Sequence, residues 1–383
     1  MKKISRIILA FAALACIASC GQKKSGPAFT KSGLDPQNFV SSYNGSETAL
    51  YTLTNDNGME VCITNFGGRI VSICVPDKNG EFKDVVLGFD KVSDYFPENN
   101  LTDFGAAIGR YANRINQGRI TIDGNTIQLP QNNFGHCLHG GPTGWQYQVY
   151  EKVEADNNHV KLLRVSPDGD NNFPGEVKAY VTYTLTSDNK IDIKYEATTS
   201  APTVINMTNH SYFNLAGDPA NHKIVEDVMW VNSTSYTPVD NTYMTTGEIV
   251  PVAGTPFDFT TAHAVSDGIT ADNEQIRNGN GYDHNWVLDT NNDITKVAVD
   301  LYCPTSGIDL KVYTDEPGIQ IYAGNFLDGT VTGKKGIVYQ QRTGICLETQ
   351  HYPDSPNKPQ WPSVVLRPGE TYSSHCIFEF STK

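Results

Sequence analysis

One large domain of antiparallel β-sheet is what this sequence predicts, and three observations carry the prediction. Short runs alternate apolar and polar residues, most clearly over residues 177–185 and 190–195, the period of a strand with one buried face. Aromatic residues reach 10% and include 19 tyrosines, side chains that suit a pleated, half-buried surface. No segment of the 383 residues keeps a 3.6-residue apolar period through three turns, as a core-facing helix would.

The N-terminus stands apart from that pattern. Lys2, Lys3 and Arg6 precede twelve apolar or small residues at 7–18, long enough for a secretory signal core and short of the roughly 20 needed to span a bilayer. Ile17-Ala18-Ser19-Cys20 resembles a bacterial lipobox, which implies that residues 1–19 are a lipoprotein signal peptide and that Cys20 is lipidated. The expected address is the bacterial cell envelope, periplasm or outer membrane, with membrane contact only through that lipid. Residues 20–42, broken by Gly26, Pro27, Gly33 and Pro36, read as a polar spacer.

From residue 43 to 383 the strand and turn signals recur without a linker-like shift or an internal repeat, so one domain is expected. Residues 120–129 turn at Asp123-Gly124; 177–185 and 190–195 form a hairpin across Ser187-Asp188-Asn189; shorter strands fall at 308–313, 319–322 and 376–380. Cys62, Cys74, Cys137, Cys303, Cys346 and Cys376 lie mostly among apolar neighbours, and each is expected as a buried free thiol. A formal charge of -13 and a pI near 5.1 exclude a nucleic-acid partner, which would demand clustered Lys and Arg.

Several chemistries fail on spacing. Gly333-Lys334-Lys335-Gly336 lacks the rest of a phosphate loop, and residues 105–109 lack the spacing and βαβ setting of a dinucleotide fingerprint. In Asp168-Gly169-Asp170-Asn171-Asn172, Phe173 replaces the turn glycine of a calcium loop and Ala179 the closing Glu. A bound calcium ion is therefore allowed but not indicated. His136-Cys137-Leu138-His139 has no second ligand pair, so no metal site is assigned.

What remains is a set of polar residues in Gly- and aromatic-rich turns: Asn113 and Arg114; His139 before Gly140-Gly141; Asn206 through Leu215 with His210 and Tyr212; Asp283 between Tyr282 and Trp286; and Glu348. Singly, each reads as well as a salt-bridge partner, a turn cap or a solvated group. Together they suit a polyol pocket, with rings for sugar faces and Asn, Arg, His and Asp for hydroxyls.

These segments, in this order and with Glu316 through Asn325, resemble the aldose 1-epimerase (galactose mutarotase) family from residue 43 to about 380. The resemblance implies a β-supersandwich, a large antiparallel β-sandwich with the sugar in an open cleft. It also implies that His210 is the general acid and Glu348 the general base, with Asn113, Arg114, His139, Tyr212, Asp283 and Gln320 binding sugar. The expected enzyme interconverts the anomers of free aldoses as a monomer and requires no cofactor. The acid and base are expected on opposite sides of the sugar, Glu348 ionised and His210 protonated, with a nearby carboxylate keeping the imidazole charged. Two rivals remain: a glycosidase built on Asp283 and Glu348, and an idle sugar-binding protein.

Overall fold

Alternation becomes burial directly in the strand Val177–Leu185, whose odd-numbered residues are buried while its even-numbered residues stay at least partly exposed. The computed structural model describes residues 29–383; Cys20 and the expected signal peptide, residues 1–19, lie outside them. The predicted hairpin forms, and its second strand runs on to Lys190–Thr199. This pair sits inside a nine-stranded sheet ordered Glu151–Ala155, His159–Ser166, Val177–Leu185, Lys190–Thr199, Tyr372–Thr382, Ile308–Thr314, Val297–Tyr302, Val228–Val231, His263–Ala264. Every ladder in it is antiparallel.

A six-stranded antiparallel sheet runs Tyr212–Phe213, Ile345–Gln350, Gly318–Tyr322, Asp283–Val287, Ser235–Thr237, Val250–Pro251. A four-stranded sheet starts at Leu50–Thr54 and includes Arg69–Pro76. Val181, Tyr195 and Phe378 of the large sheet share one core with Ile319, Leu347 and Trp286 of the second sheet and with Ile63 and Ile73 of the third. The architecture is thus the large antiparallel β-sandwich that was expected.

The second sheet positions the site because its strands Asp283–Val287, Gly318–Tyr322 and Ile345–Gln350 are buried on both faces. Ile345 and Leu347 point into the common core, so Cys346 and Glu348 must point the other way. Cross-strand register puts Gln320 beside Glu348 and Tyr322 beside both Cys346 and Asp283, all on that second face. The helix Glu274–Gly279 leads into it: Asn273 Oδ1 accepts from the Gln275 and Ile276 amides, and Asn280 ends the helix in the left-handed region.

The expected spacer is shorter than residue 42. Leu34 and Phe39 are buried among Phe66, Tyr95 and Phe96, and the Lys31 amide donates to Glu60 Oε1 at 2.6 Å. Leu34 and Phe39 sit in a polar stretch whose few apolar residues keep no period, so composition could not reveal that they dock. All six cysteines of the described residues are buried and unpaired. Among those residues no helix is long and apolar enough to cross a membrane.

Candidate active site

The outer face of the six-stranded sheet floors a pocket of about 270 Å³. Glu348, from Ile345–Gln350, and His210, from Thr208–His210, meet there with Nε2 and Oε1 3.5 Å apart. Both are almost fully buried. The distance is too long for a good charge-assisted hydrogen bond, and Glu348 Oε2 has no protein partner. His210 Nδ1 faces the Cys346 thiol at 3.4 Å, and its ring stacks on Tyr212. The two side chains expected as acid and base therefore stand side by side, too close together to flank a sugar from opposite sides.

Asn113, Arg114, His139, Tyr212 and Asp283 line the same pocket. Asn113 and His139 both have positive φ, and the two turns interlock: the Asn113 amide donates to His139 Nδ1 at 3.1 Å. That bond leaves Nε2 as the protonated nitrogen of a neutral His139. Gly140 is required beside it, because a Cβ there would collide with the Gly109 carbonyl. Arg114 donates through Nε and Nη2 to Asn133 Oδ1 at 3.1 and 2.9 Å, and its guanidinium lies 5.0 Å from the Tyr243 ring centre. Gln320 stands one step behind the lining, where its Nε2 donates to Asp283 Oδ1 at 2.7 Å. It orients Asp283.

Asp103, Tyr322, Phe326 and Leu101 also line the pocket, and the motif reading missed all four. Tyr322 was legible: it follows Gln320 by two residues and so shares its face. Asp103 sits in a turn with no period. It is placed by fully buried Arg69, which donates to the carbonyls of Thr102, Phe104 and Gln146. A Cβ on Gly105 would strike the Ile70 carbonyl, so the turn packs closely. A carboxylate oxygen of Asp103 and one ring nitrogen each of His139 and His210 fall within 4.8 Å of one another.

Electrostatics revise the expected protonation. Burial lowers the pKa of His210 and raises that of Glu348 well above the carboxylate range, so desolvation favours a neutral pair. The surrounding charges act in both directions: Asp103 favours the imidazolium and Arg69 opposes it, while Asp283 and Asp103 favour protonated Glu348 and Arg114 its carboxylate. The neutral pair and the ion pair hold the same single proton; the environment decides which side it occupies. Burial also holds His139 well below its ordinary value, leaving it a neutral donor.

His136 and His139 do not converge. His136 Nδ1 accepts from the Gln117 amide and Nε2 meets Thr242 Oγ1. Of the candidate calcium loop, Asp168 accepts from the Gly175 amide and Asp170 from the Ser166 hydroxyl. Cys346, near His210 and Glu348, has a thiol whose pKa burial raises well above its ordinary value.

Residues 49–379 match the family model for aldose 1-epimerase. The chain is 42% identical over 337 residues to the galactose mutarotase of Mus musculus, covering 88% of this chain and 95% of that protein. It is 39% identical over 341 residues to the aldose 1-epimerase of Escherichia coli K12, covering 88% and 96%. Among solved structures, an aldose epimerase homologue from C. elegans superposes with a TM-score of 0.81 at 31% identity, covering 88% of this chain and 99% of that one. A galactose 1-epimerase from Lactobacillus acidophilus gives 0.77 at 28%, covering 89% and 97%. With a family match over nearly the whole described domain, the chain belongs to the aldose 1-epimerase family, isomerases that act on carbohydrates.

Proposed function

We propose that this mutarotase opens and recloses free hexoses such as glucose and galactose with His210 as general acid and Glu348 as general base. The observation that carries the reading is the buried, unbonded pair at the floor of the pocket. Glu348 takes the proton of the anomeric hydroxyl while His210 Nε2 delivers its proton to the ring oxygen. The bond between that oxygen and the anomeric carbon breaks, leaving an aldehyde. Rotation about the adjacent carbon–carbon bond presents the other face, and on reclosure His210 takes back the proton of the attacking hydroxyl while Glu348 gives its proton to the aldehyde oxygen, which restores both residues. Each group contributes on the order of 10²- to 10⁴-fold. The scheme is complete with these proton transfers between His210, Glu348 and the sugar, and it calls on no redox cofactor.

Arg114 favours loss of the proton from Glu348, and Asp103, the carboxylate expected near the imidazole, favours a proton on His210 as well as on Glu348. Asn113, Arg114, His139 and Asp283 offer donors and acceptors to sugar hydroxyls, and Tyr212 a ring face. Polarimetry of freshly dissolved α-galactose and α-glucose with the full-length protein tests the reading: it predicts a faster approach to rotational equilibrium than in buffer, and an unchanged rate would refute it.

The address belongs to the same proposal: a monomer, lipidated at Cys20 after loss of residues 1–19 and held at the bacterial cell envelope. The basic head, apolar core and lipobox support it. Labelled palmitate should enter the wild type and not Cys20→Ser; label in both would remove the anchor.

A further inference from the structure

On the pocket face of the six-stranded sheet, a row of polar side chains leads away from Glu348. Gln320 stands opposite Glu348, Asn285 opposite Gln320 and Thr237 opposite Asn285, while Gln350 follows Glu348 by two residues and so shares its face. All five are buried, Gln350 to 0% exposure and Asn285 to 1%. Thr237 Oγ1, both polar side-chain atoms of Asn285, Gln320 Oε1, Glu348 Oε2 and both polar side-chain atoms of Gln350 have no protein partner.

Buried polar groups ordinarily find partners in protein or in ordered water. Asn65 shows the ordinary case: its Nδ2 donates to the carbonyls of Glu47 and Tyr150, and its Oδ1 accepts from the Ala49 amide. Left bare, the row beside Glu348 would cost about as much as the net stability of a whole domain. A buried site that offers several polar partners holds water instead, and here the partners are neighbours. Gly318 leaves space among them: it pairs with Gln350, and a Cβ there would lie 2.5 Å from Asn285 Oδ1 and 2.8 Å from the Tyr352 ring. The Asn285 amide therefore lies over the position that faces Gln350.

We propose that bound water held by Gln350, Asn285 and Gln320 donates to Glu348 Oε2, and that Gln350 and Asn285 are thereby positioning residues for the general base. Each amide offers both donors and an acceptor, so a water can accept from one and still turn a hydrogen to the carboxylate. That hydrogen bond favours the ionised form and restrains the oxygen other than the one facing His210. The charged and titratable groups around Glu348 are His210, Asp103, Arg114, Asp283, Tyr212, Tyr322 and Cys346, and a substitution at Gln350 leaves all of them in place. Neither Gln350 nor Asn285 lines the pocket. The inference rests on the mutarotase reading and adds residues that act through water behind the base.

The experiment follows mutarotation of α-glucose across pH by the full-length protein, by Gln350→Met, which keeps the bulk and removes the amide, and by Gln350→Asn, which keeps the amide on a shorter stem. Gln350→Met should lower kcat about tenfold with KM nearly kept. Its pH–rate profile should move toward alkaline pH, since a carboxylate stripped of a donor holds its proton more tightly. Gln350→Asn should recover most of the rate, because water takes up the missing methylene. Thermal melting verifies that the variants fold. A kcat loss in Gln350→Met with an unmoved profile would reduce Gln350 to packing and overturn the inference, as would an unchanged kcat. A crystal structure reads the site directly: ordered water bonded to Gln350 or Asn285 and to Glu348 Oε2 is expected, and a dry row would overturn the inference while leaving the mutarotase reading intact. Failure of the wild type to accelerate α-glucose would overturn both.

Discussion

Two buried imidazole–carboxylate pairs in this protein differ in one respect that separates chemistry from structure. His222 and Asp227 are bonded at 2.8 Å, with the Cys303 thiol 3.8 Å from the same ring nitrogen. Those contacts outweigh burial and raise the pKa of His222 to about 10. His210 and Glu348 stand 3.5 Å apart, open to a pocket, with burial pushing both toward neutrality. A completed hydrogen bond fixes the proton and stabilises the fold. An incomplete one, open to a pocket, leaves the proton free for the transfer to a substrate that the proposed reaction requires.

The most severe test exchanges the consequences of losing each pair. Glu348→Gln and His210→Asn should each lower kcat by about 10²- to 10⁴-fold with little change in Tm; full rates in both by polarimetry would dissolve the assignment. Asp227→Asn should do the reverse, lowering stability by about 3–5 kcal/mol in denaturant titration while folded enzyme keeps its rate. The raised His222 pKa also sets a sign. Its stabilisation is complete below the unfolded value of about 6.5 and is lost as pH rises through about 10. Tm should therefore fall across that window in the wild type and less so in Asp227→Asn.

Smaller effects sharpen the catalytic side. Gln320→Leu removes the donor to Asp283 and should raise KM about fivefold, equivalent to ~1 kcal/mol, with kcat nearly kept; a kcat loss instead would place Gln320 in the chemistry. The pH–rate profile should be a bell whose acid limb lies below the ordinary histidine value and whose alkaline limb lies above the ordinary carboxylate value, because His210 is lowered and Glu348 raised. Asp103 raises both, so Asp103→Asn should move both limbs toward acid. Unmoved limbs would show that Asp103 does not act on the pair.

Much of this was legible along the chain. The alternation at 177–185 and 190–195 became the hairpin at the centre of the large sheet because a half-buried strand writes its two faces into consecutive residues. His210, Glu348 and most of their pocket neighbours stood in polar motifs that the family resemblance joined. Asp103, by contrast, occupies a turn with no period, and Leu34 and Phe39 dock from a polar stretch. Their roles depend on partners distant in sequence: Arg69 and His210 for the first, Phe66 and Tyr95 for the others.

By itself, then, the sequence determined the strand-rich fold, the acidic surface, the buried thiols and the residue types of an acid–base sugar site, because these follow from local pattern and composition. The tertiary structure alone decided that His210 and Glu348 stand side by side and unbonded, that Gln320 supports rather than lines the pocket, and that Asp103 raises the proton affinity of both members of the pair. Proton affinity depends on distance and burial in three dimensions, and neither has a period that a chain can display.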